Sequence, residues 1–396
     1  MKTNNDNTKN VLILGVEDSP GLIASETFRK RGFRVIVGCH VKLCTTFFSR
    51  YPHRRVVYPS PDLRPDAFIE WLVRFLSSEE VDVVIPIGAR ITQLLSKNKG
   101  ALKDHVNMFL VDFDLYQKAV DKAQTMKIAM ENNIPCPKTY FPEEQSLEQI
   151  MNKIEYPAVI KPRFGVAARG FTIVRSKEEM EGLFRKTESK YGKCIVQEYI
   201  PHAGMQYKAE ILMSKQQDVL SWVVYNKPRH YPPEGGSSTL NCTVDRPDIL
   251  NIAERILRAM DWYGMGDCDF IEDPRDNIPK LMEINPRFTR SIKIASLAGV
   301  DFFYKVYQLA MGEAVQPDRR YQVGIYLRYL PGDVLWFLKS KDRFIARPSF
   351  FKFYSRNMKD EIVSLKDPGA LIGYLLHKFL LIFDEKEKIA RYSRSG

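Results

Sequence analysis

Four short segments carry residue types suited to handling phosphate, metal ions and carboxylates. The first is Pro157-Ala158-Val159-Ile160-Lys161-Pro162, closely followed by Gly165-Val166-Ala167-Ala168-Arg169-Gly170. A lysine at a strand end can set its ammonium against phosphate oxygens. A loop bracketed by glycines can bring backbone N–H groups to the same oxygens. It is not a Walker A loop, because GxxxxGK[ST] does not occur. The second segment, Ile195-Val196-Gln197-Glu198-Tyr199-Ile200-Pro201, is an apolar strand that emerges into a carboxylate and a short hinge, able to present backbone groups to an adenine edge. The third and fourth are Gly266-Asp267-Cys268-Asp269-Phe270-Ile271 and Leu281-Met282-Glu283-Ile284-Asn285-Pro286-Arg287-Phe288. In a strand, Glu283 and Asn285 share a face. Both offer oxygen ligands, and Mg²⁺ takes a few such oxygens together with phosphates and water. Asp269 on the neighbouring strand would complete the set, and Arg287 can grip a phosphate or carboxylate bidentately. A surface strand with solvated polar ends is the alternative, and the apolar alternation between these polar residues argues against it.

These residues need strands to position them. Val11–Leu14, Val35–Val37, Val56–Tyr58, Val83–Ile87 and Met108–Val111 read as short buried strands. They alternate with helical stretches Leu22–Lys30, Ala67–Leu76 and Ile91–Leu95, which implies a parallel sheet with helices on its faces. Gly15 and Gly21 follow the first strand, but GxGxxG is absent, so no dinucleotide site is assigned. Asp114–Asn132 reads as one helix that stops before Pro135. Then come strands Thr139–Phe141, Pro157–Lys161, Thr172–Arg175 and Cys194–Tyr199, with helices Ser146–Ile154 and Lys177–Lys186 between them. Gln206–Met213 and Val219–Tyr225 alternate like an antiparallel pair. Ile249–Trp262 is an amphipathic helix, and Cys268–Glu272 with Lys280–Ile284 forms a hairpin.

The chain has 396 residues, 44% of them hydrophobic, which is ordinary globular composition and enough for two or three lobes. No apolar run is long enough to span a bilayer, and Met1–Asn10 lacks a signal-peptide core, so a cytoplasmic protein is expected. The six cysteines show no CxxC spacing and are expected to be reduced. The formal charge of +11 has no zinc finger, RNP-type motif or polybasic block beside it, so a nucleic-acid partner is not expected.

Taken together, the four segments resemble the ATP-grasp superfamily, in particular the ATP-binding halves of carbamoyl-phosphate synthase and related carboxylate–amine ligases. The likeness covers roughly residues 10–315. Its most specific piece is Met282–Phe288, close to the family's E-x-N-P-R signature, and Asp121-Lys122 resembles the family's linker. The resemblance implies an α/β and α+β protein: a Rossmann-like pre-ATP-grasp domain (1–115), a linker helix and lid domain (116–200), a catalytic domain (201–316) and a C-terminal extension (317–396). It also implies site roles. Lys161 and Lys122 would contact ATP phosphates under the Gly165–Gly170 flap with Arg169, while Glu198, Tyr199 and Ile200 would frame the adenine and Gln206 or its strand would reach the ribose. Asp269, Glu283 and Asn285 would hold one or two Mg²⁺, with Mn²⁺ as a substitute, and Arg287 would stabilise the transferred phosphoryl group. The implied activity is ADP-forming ligation of a carboxylate to an amine through an acyl phosphate. A bicarbonate or carbamoyl-type phosphorylation and a non-catalytic ATP-binding module are the alternatives.

Other segments stay open. Lys227–Ser238 reads as a strand end turning into a Gly/Ser loop. It resembles the ligase loop near the reacting carboxylate, with Arg229 on the acyl phosphate, the N–H groups of Gly235 to Ser237 on an anion and His230 as a weak candidate base; a plain surface loop is the alternative. Arg229, Arg290 and Lys293 hint at an anionic substrate. His53-Arg54-Arg55 reads as a substrate rim or a solvated turn. From Pro317 onward the chain holds 16 Lys/Arg against 9 Asp/Glu, seven of the net +11, with aromatic clusters and a final apolar helix, Ala370–Phe383. That tail either docks on the protein's own body, forms a homodimer interface or associates weakly with a membrane surface.

Overall fold

In the computed structural model, β1 (Asn10–Leu14), β2 (Arg34–Cys39), β3 (Arg54–Val57) and β4 (Val83–Pro86) form a parallel sheet in the order β3-β2-β1-β4. The structure describes residues 9–383, except 166–168, 202, 234–235, 354 and the side chains of 382–383. Strand alternation sends Val11 and Ile13 to one face, against helix Ser19–Lys30 through Phe28, and Leu12 and Leu14 to the other, against helix Pro65–Ser78 through Phe68 and Leu72. Both faces are covered, so β1 reads as a continuous apolar run. Gly15 sits at φ +82°, and a Cβ there would lie 2.2 Å from the Ile87 carbonyl oxygen. The turn after β1 is therefore packed against the end of β4. The fifth strand expected at Met108–Val111 does not form. The chain bridges β4 only at Asn107, and residues 108–111 are apolar because they pack, not because they pair.

The helix expected over Asp114–Asn132 is two helices, Phe113–Val120 and Lys122–Glu131. Asp121 leaves the helical region at ψ 103°, and its carboxylate accepts the Ala123 N–H at 3.0 Å, capping the second helix. This break puts Lys122 at a helix start.

The second sheet is antiparallel, in the order β5-β8-β6-β7: β5 (Thr139–Tyr140), β6 (Ala158–Pro162), β7 (Thr172–Val174) and β8 (Cys194–Glu198). Helices Leu147–Met151 and Lys177–Tyr191 cover it through Ile150, Met180 and Phe184.

The third sheet has seven strands: β9 (Gln206–Met213), β10 (Val219–Tyr231), β11 (Ser237–Thr243), β12 (Gly264–Glu272), β13 (Pro279–Asn285), β14 (Tyr326–Arg328) and β15 (Met358–Asp360), in the order β13-β12-β9-β10-β11-β14-β15. Helix Pro247–Ala259 buries Ile249, Ala253, Ile256 and Leu257 against it. β10 runs past Tyr225 to Tyr231, where a loop was expected. Register shifts around Arg229 make room for Pro228, which has no N–H to give a ladder. β11 escaped the sequence reading because Ser237-Ser238-Thr239 and Asn241 look like turn residues, yet Thr239, Asn241 and Thr243 are buried.

The sheet continues past residue 317 through β14 and β15. Helix Leu330–Lys339 lies over it and buries Asp333, which accepts from Arg229 at 2.8 Å and from Thr239 Oγ1 at 3.2 Å, and lies 2.7 Å from Arg328 Nε. The last helix, Pro368–Phe383, packs on Thr45–Phe48 of the N-terminal domain. A Cβ on Gly369 would sit 2.1 Å from the Phe48 carbonyl oxygen, so only glycine allows this approach. Among the described residues no helix is long and apolar enough to cross a membrane. Five of the six free cysteines are buried.

Asp333→Ala would leave two guanidinium groups buried without their carboxylate. Breaking a buried pair in this way costs about 3–5 kcal/mol. Urea unfolding is expected to show that loss. A change below about 1 kcal/mol would mean that the Arg229–Asp333–Arg328 group is solvated.

Candidate active site

β6 places Lys161 across from Ile195 on β8, and the two strands share a polar relay. Lys161 Nζ donates to Gln197 Oε1 at 2.7 Å, Gln197 Nε2 donates to Thr139 Oγ1 at 2.8 Å, and Thr139 Oγ1 donates to the Pro137 carbonyl at 2.8 Å. Because the Gln197 NH₂ group is taken by Thr139, its oxygen must face the lysine. Burial lowers the Lys161 ammonium to about 8, against the pull of Glu283 and aided by the like charge of Lys122. Gln197 had no role in the sequence reading. Its signal is the alternation that carries Ile195 and Gln197 to one face of β8.

Lys122 joins the same place from its helix start. Its Nζ donates to the Gly165 carbonyl at 3.0 Å and lies 3.7 Å from Glu283 Oε2. Its N–H donates to the Arg163 carbonyl at 3.0 Å, while Arg163 Nε donates to Asp121 Oδ1 at 3.0 Å and pairs with Glu143. The helix cap is thus strapped to the loop after β6. Gly165 (φ +134°) and Gly170 (φ +71°) both take backbone positions that favour glycine. The flap residues Val166–Ala168 lie outside the described residues, and Arg169 follows them.

On β12 and β13, Asp269 faces Glu283 directly, and Asn285 Nδ2 donates to Asp269 Oδ2 at 3.0 Å. Asn285 Oδ1 accepts from Arg287 Nη2 at 3.2 Å. Asp269 is also ion-paired to Lys227 and, at 3.1 Å, to Lys208, which itself pairs with Asp267. Burial pushes the Asp269 carboxyl up, but the two lysines outweigh it and hold it at about 2. Lys208 and Lys227 were not singled out from sequence, although Lys208 stands opposite Asp269 in register. Deeper in the sheet, Glu210 accepts from Tyr225 OH and Thr289 Oγ1, each at 2.9 Å. Burial and Asp267 raise it to about 8, so it is mostly protonated at neutral pH.

The hinge is anchored at Glu198, which accepts the Lys138 N–H at 3.0 Å and pairs with Arg275 from the β12–β13 turn. Tyr199 follows, and Ile200 is buried. Gln206 begins β9 opposite Ile271.

The three cations that hinted at an anionic substrate meet the C-terminal segment instead. Arg229 is buried against Asp333, accepted by the Pro348 carbonyl and stacked 4.4 Å over Trp336. Arg290 lies 3.2 Å from Glu361 and 4.1 Å over Tyr329. Lys293 donates to the Asp360 and Glu361 carbonyls at 2.7 and 3.2 Å. Of the other open segments, His230 stands opposite Ser238 on β11, and Gly235 lies outside the described residues. His53 accepts the Val35 N–H at 3.0 Å, Arg54 pairs with Glu79 and Arg55 donates to the Phe47 carbonyl.

Glu283 is half-exposed, and with the Asn285 amide oxygen it forms a donor set that fits a magnesium ion shared with nucleotide phosphates. Both oxygens of Asp269 already meet lysines or an amide. Among the described residues, the one group of three close metal-capable His, Cys or carboxylate side chains is Glu17, Cys39 and His40, in the N-terminal domain.

Residues 119–291 match the ATP-grasp domain family. The chain is 25% identical over 285 residues to D-aspartate ligase of Enterococcus faecium, covering 66% of each protein. It is 24% identical over 226 residues to the carbamoyl phosphate synthase large chain of Saccharolobus islandicus, covering 54% of this chain. It spans just under two thirds of the first relative and about a fifth (21%) of the second. The fold matches biotin carboxylase of Campylobacter jejuni, solved as a β,γ-ATP complex, with a TM-score of 0.68 at 13% identity over 80% of this chain and 74% of that one.

The lowered Lys161 gives a pH test with a definite sign. The free ammonium is charged below about 8 and loses its proton above it, while bound phosphate would hold the proton on. Nucleotide affinity is therefore expected to fall about tenfold between about pH 7 and pH 9, with proton uptake on binding, and to flatten in Lys161→Gln. Calorimetry in buffers of different ionisation enthalpy reads both. A flat wild-type profile would remove Lys161 from the phosphates.

Proposed function

We propose that this chain, which has the ATP-grasp fold and carries an ATP-grasp domain, is an ADP-forming ligase that activates a carboxylate as an acyl phosphate and joins it to an amine. The observation that carries the reading is the meeting of Lys161, Lys122 and Glu283, drawn from three separate elements, beside the Asn285–Arg287 turn. Two ammonium groups facing one carboxylate leave a positive surplus that suits a polyphosphate.

In this reading Lys161 and Lys122 hold the phosphates, and Glu198, Tyr199 and Ile200 border the base. Glu283 and Asn285 would hold Mg²⁺, which would supply neutralising charge to the phosphates. A carboxylate oxygen of the substrate attacks the γ-phosphorus, and ADP leaves with the bridging oxygen. Arg287 faces the charge that spreads over the transferring group. The amine nitrogen then attacks the acyl carbon, inorganic phosphate departs, and the nitrogen gives its proton to solvent or phosphate. Keeping water from the site would protect the acyl phosphate from hydrolysis.

The similarity to D-aspartate ligase favours an amino acid as one of the two substrates. The need for ATP favours the cytoplasm. A homodimer belongs to the same proposal, and the uncharged stripe Ile372, Leu375, Leu376, Phe379 and Leu380 on the last helix is the face it would use. A bicarbonate-type phosphorylation is the second reading, favoured by the likeness to the carbamoyl phosphate synthase chain.

The test is phosphate release with ATP, Mg²⁺ and pooled D- and L-amino acids. Release is expected to need two co-substrates and to vanish in Glu283→Ala. Lys161→Met is expected to lower kcat by roughly 10²–10³-fold, the usual cost of one preorganised charge stabiliser. Release with bicarbonate alone would favour the second reading. ATP binding without release under any acceptor would leave a binding module.

A further inference from the structure

The surface carries an apolar cluster that the proposed ligase chemistry does not use. It lies on helix Leu330–Lys339 and the two turns after it. Phe337 is its hub, with ring centroids 5.5 Å from Phe344, 4.3 Å from Phe350 and 5.4 Å from Phe351. Phe350 is buried, and its ring lies 5.6 Å from that of Phe353. Around this hub the outer members face solvent: Leu338 is 64% exposed, Phe344 70%, Ile345 77%, Phe351 58% and Phe353 59%. Scattered exposed leucines are normal on a protein surface, but a contiguous aromatic patch that protrudes in this way marks an interaction site.

The charge around the patch narrows the partner. Lys339, Lys341, Arg343, Arg347 and Lys352 stand against the single acid Asp342 in this stretch. All of these cations except Arg343 are exposed. A shallow hollow opens between the 344–349 turn and Lys352. A second copy docking patch to patch would bring like charges together. An anionic lipid surface would neutralise the cations and take up the aromatic tips, the arrangement by which peripheral proteins combine apolar insertion with electrostatic attraction.

We propose that residues 334–353 form a docking face for an anionic membrane surface, seating Phe344, Ile345, Phe351 and Phe353 among the headgroups with the cations around them. The protein lies on the bilayer and does not cross it. The inference is independent of which substrates are ligated. The helix that carries Leu338 and Phe337 also buries Asp333 against Arg229 of β10, so the docking face is rigidly tied to the catalytic sheet.

The test is flotation of the full chain with phosphatidylcholine vesicles and with vesicles that also contain phosphatidylglycerol. Binding is expected only to the mixed vesicles and is expected to fall in high salt. Phe344→Ser with Ile345→Ser removes the exposed apolar tip and is expected to lower partitioning at least tenfold or so. Lys341→Ala with Lys352→Ala is expected to lower it about fivefold for each cation. All four positions are exposed, and an unchanged melting temperature in each variant keeps loss of binding separate from loss of fold. Equal binding to both vesicle types, or none to either, would overturn the proposal. So would a concentration-dependent dimer that the same variants abolish, since the face would then be a subunit interface.

Discussion

The site depends on holding two lysine ammonium groups near one half-exposed carboxylate in a partly buried place. Like charges repel, and burial weakens the hydration that would spread that repulsion. The fold tolerates the arrangement because each lysine has a fixed acceptor. Gln197 takes Lys161, and the Gly165 carbonyl takes Lys122. Those acceptors are themselves fixed, Gln197 by Thr139 and the loop after β6 by the Arg163–Asp121 pair. The cap that ends one helix and starts the next at Asp121 is thus also the strap that sets the loop beside Lys122.

One strand-pair away the electrostatics reverse. Asp267 and Asp269 on β12 are matched by Lys208 and Lys227 on β9 and β10, so the middle of the sheet is close to neutral. Neutralising Asp269 in this way frees Glu283 to act as the outward carboxylate. Glu210, behind them, is raised to about 8 by burial and Asp267, against the pull of Lys208. Charge along these strands therefore falls from a paired interior to an unbalanced edge, and the edge faces Lys122 of the helix start and Lys161 of the second sheet.

Much of this was legible in residue order. The strand lysine, the Glu-x-Asn-Pro-Arg run and the paired carboxylates sit where period-two alternation puts them, because side-chain direction in a strand is a local property. Four features were not legible. The break at Asp121 was hidden because the apolar spacing is helical on both sides of it. β11 was hidden because its buried threonines are satisfied by partners far along the chain, Asp333 for Thr239 and the Gln322 carbonyl for Thr243. The residues after Asn107 are apolar for packing alone. The roles of Arg229, Arg290 and Lys293 depended on acids and carbonyls 52 to 119 residues away, a distance over which sequence carries no register.

Those last three cations change the meaning of the C-terminal segment. A basic tail on a basic chain should be repelled from it, yet this one is fastened to the seven-stranded sheet. The fastening uses its few acids: Asp333 takes Arg229 and Arg328, and Glu361 takes Arg290. Spending the acids inward leaves the lysines and arginines of residues 339–352 outward. Helix Leu330–Lys339 divides the two roles by its own period, with Asp333 and Trp336 facing the sheet and Leu335 and Leu338 facing solvent. The same turn of helix that locks the segment down therefore sets the direction in which its apolar face looks. A face fixed to the sheet that carries Glu283 holds the site at a constant height and tilt over whatever surface that face meets.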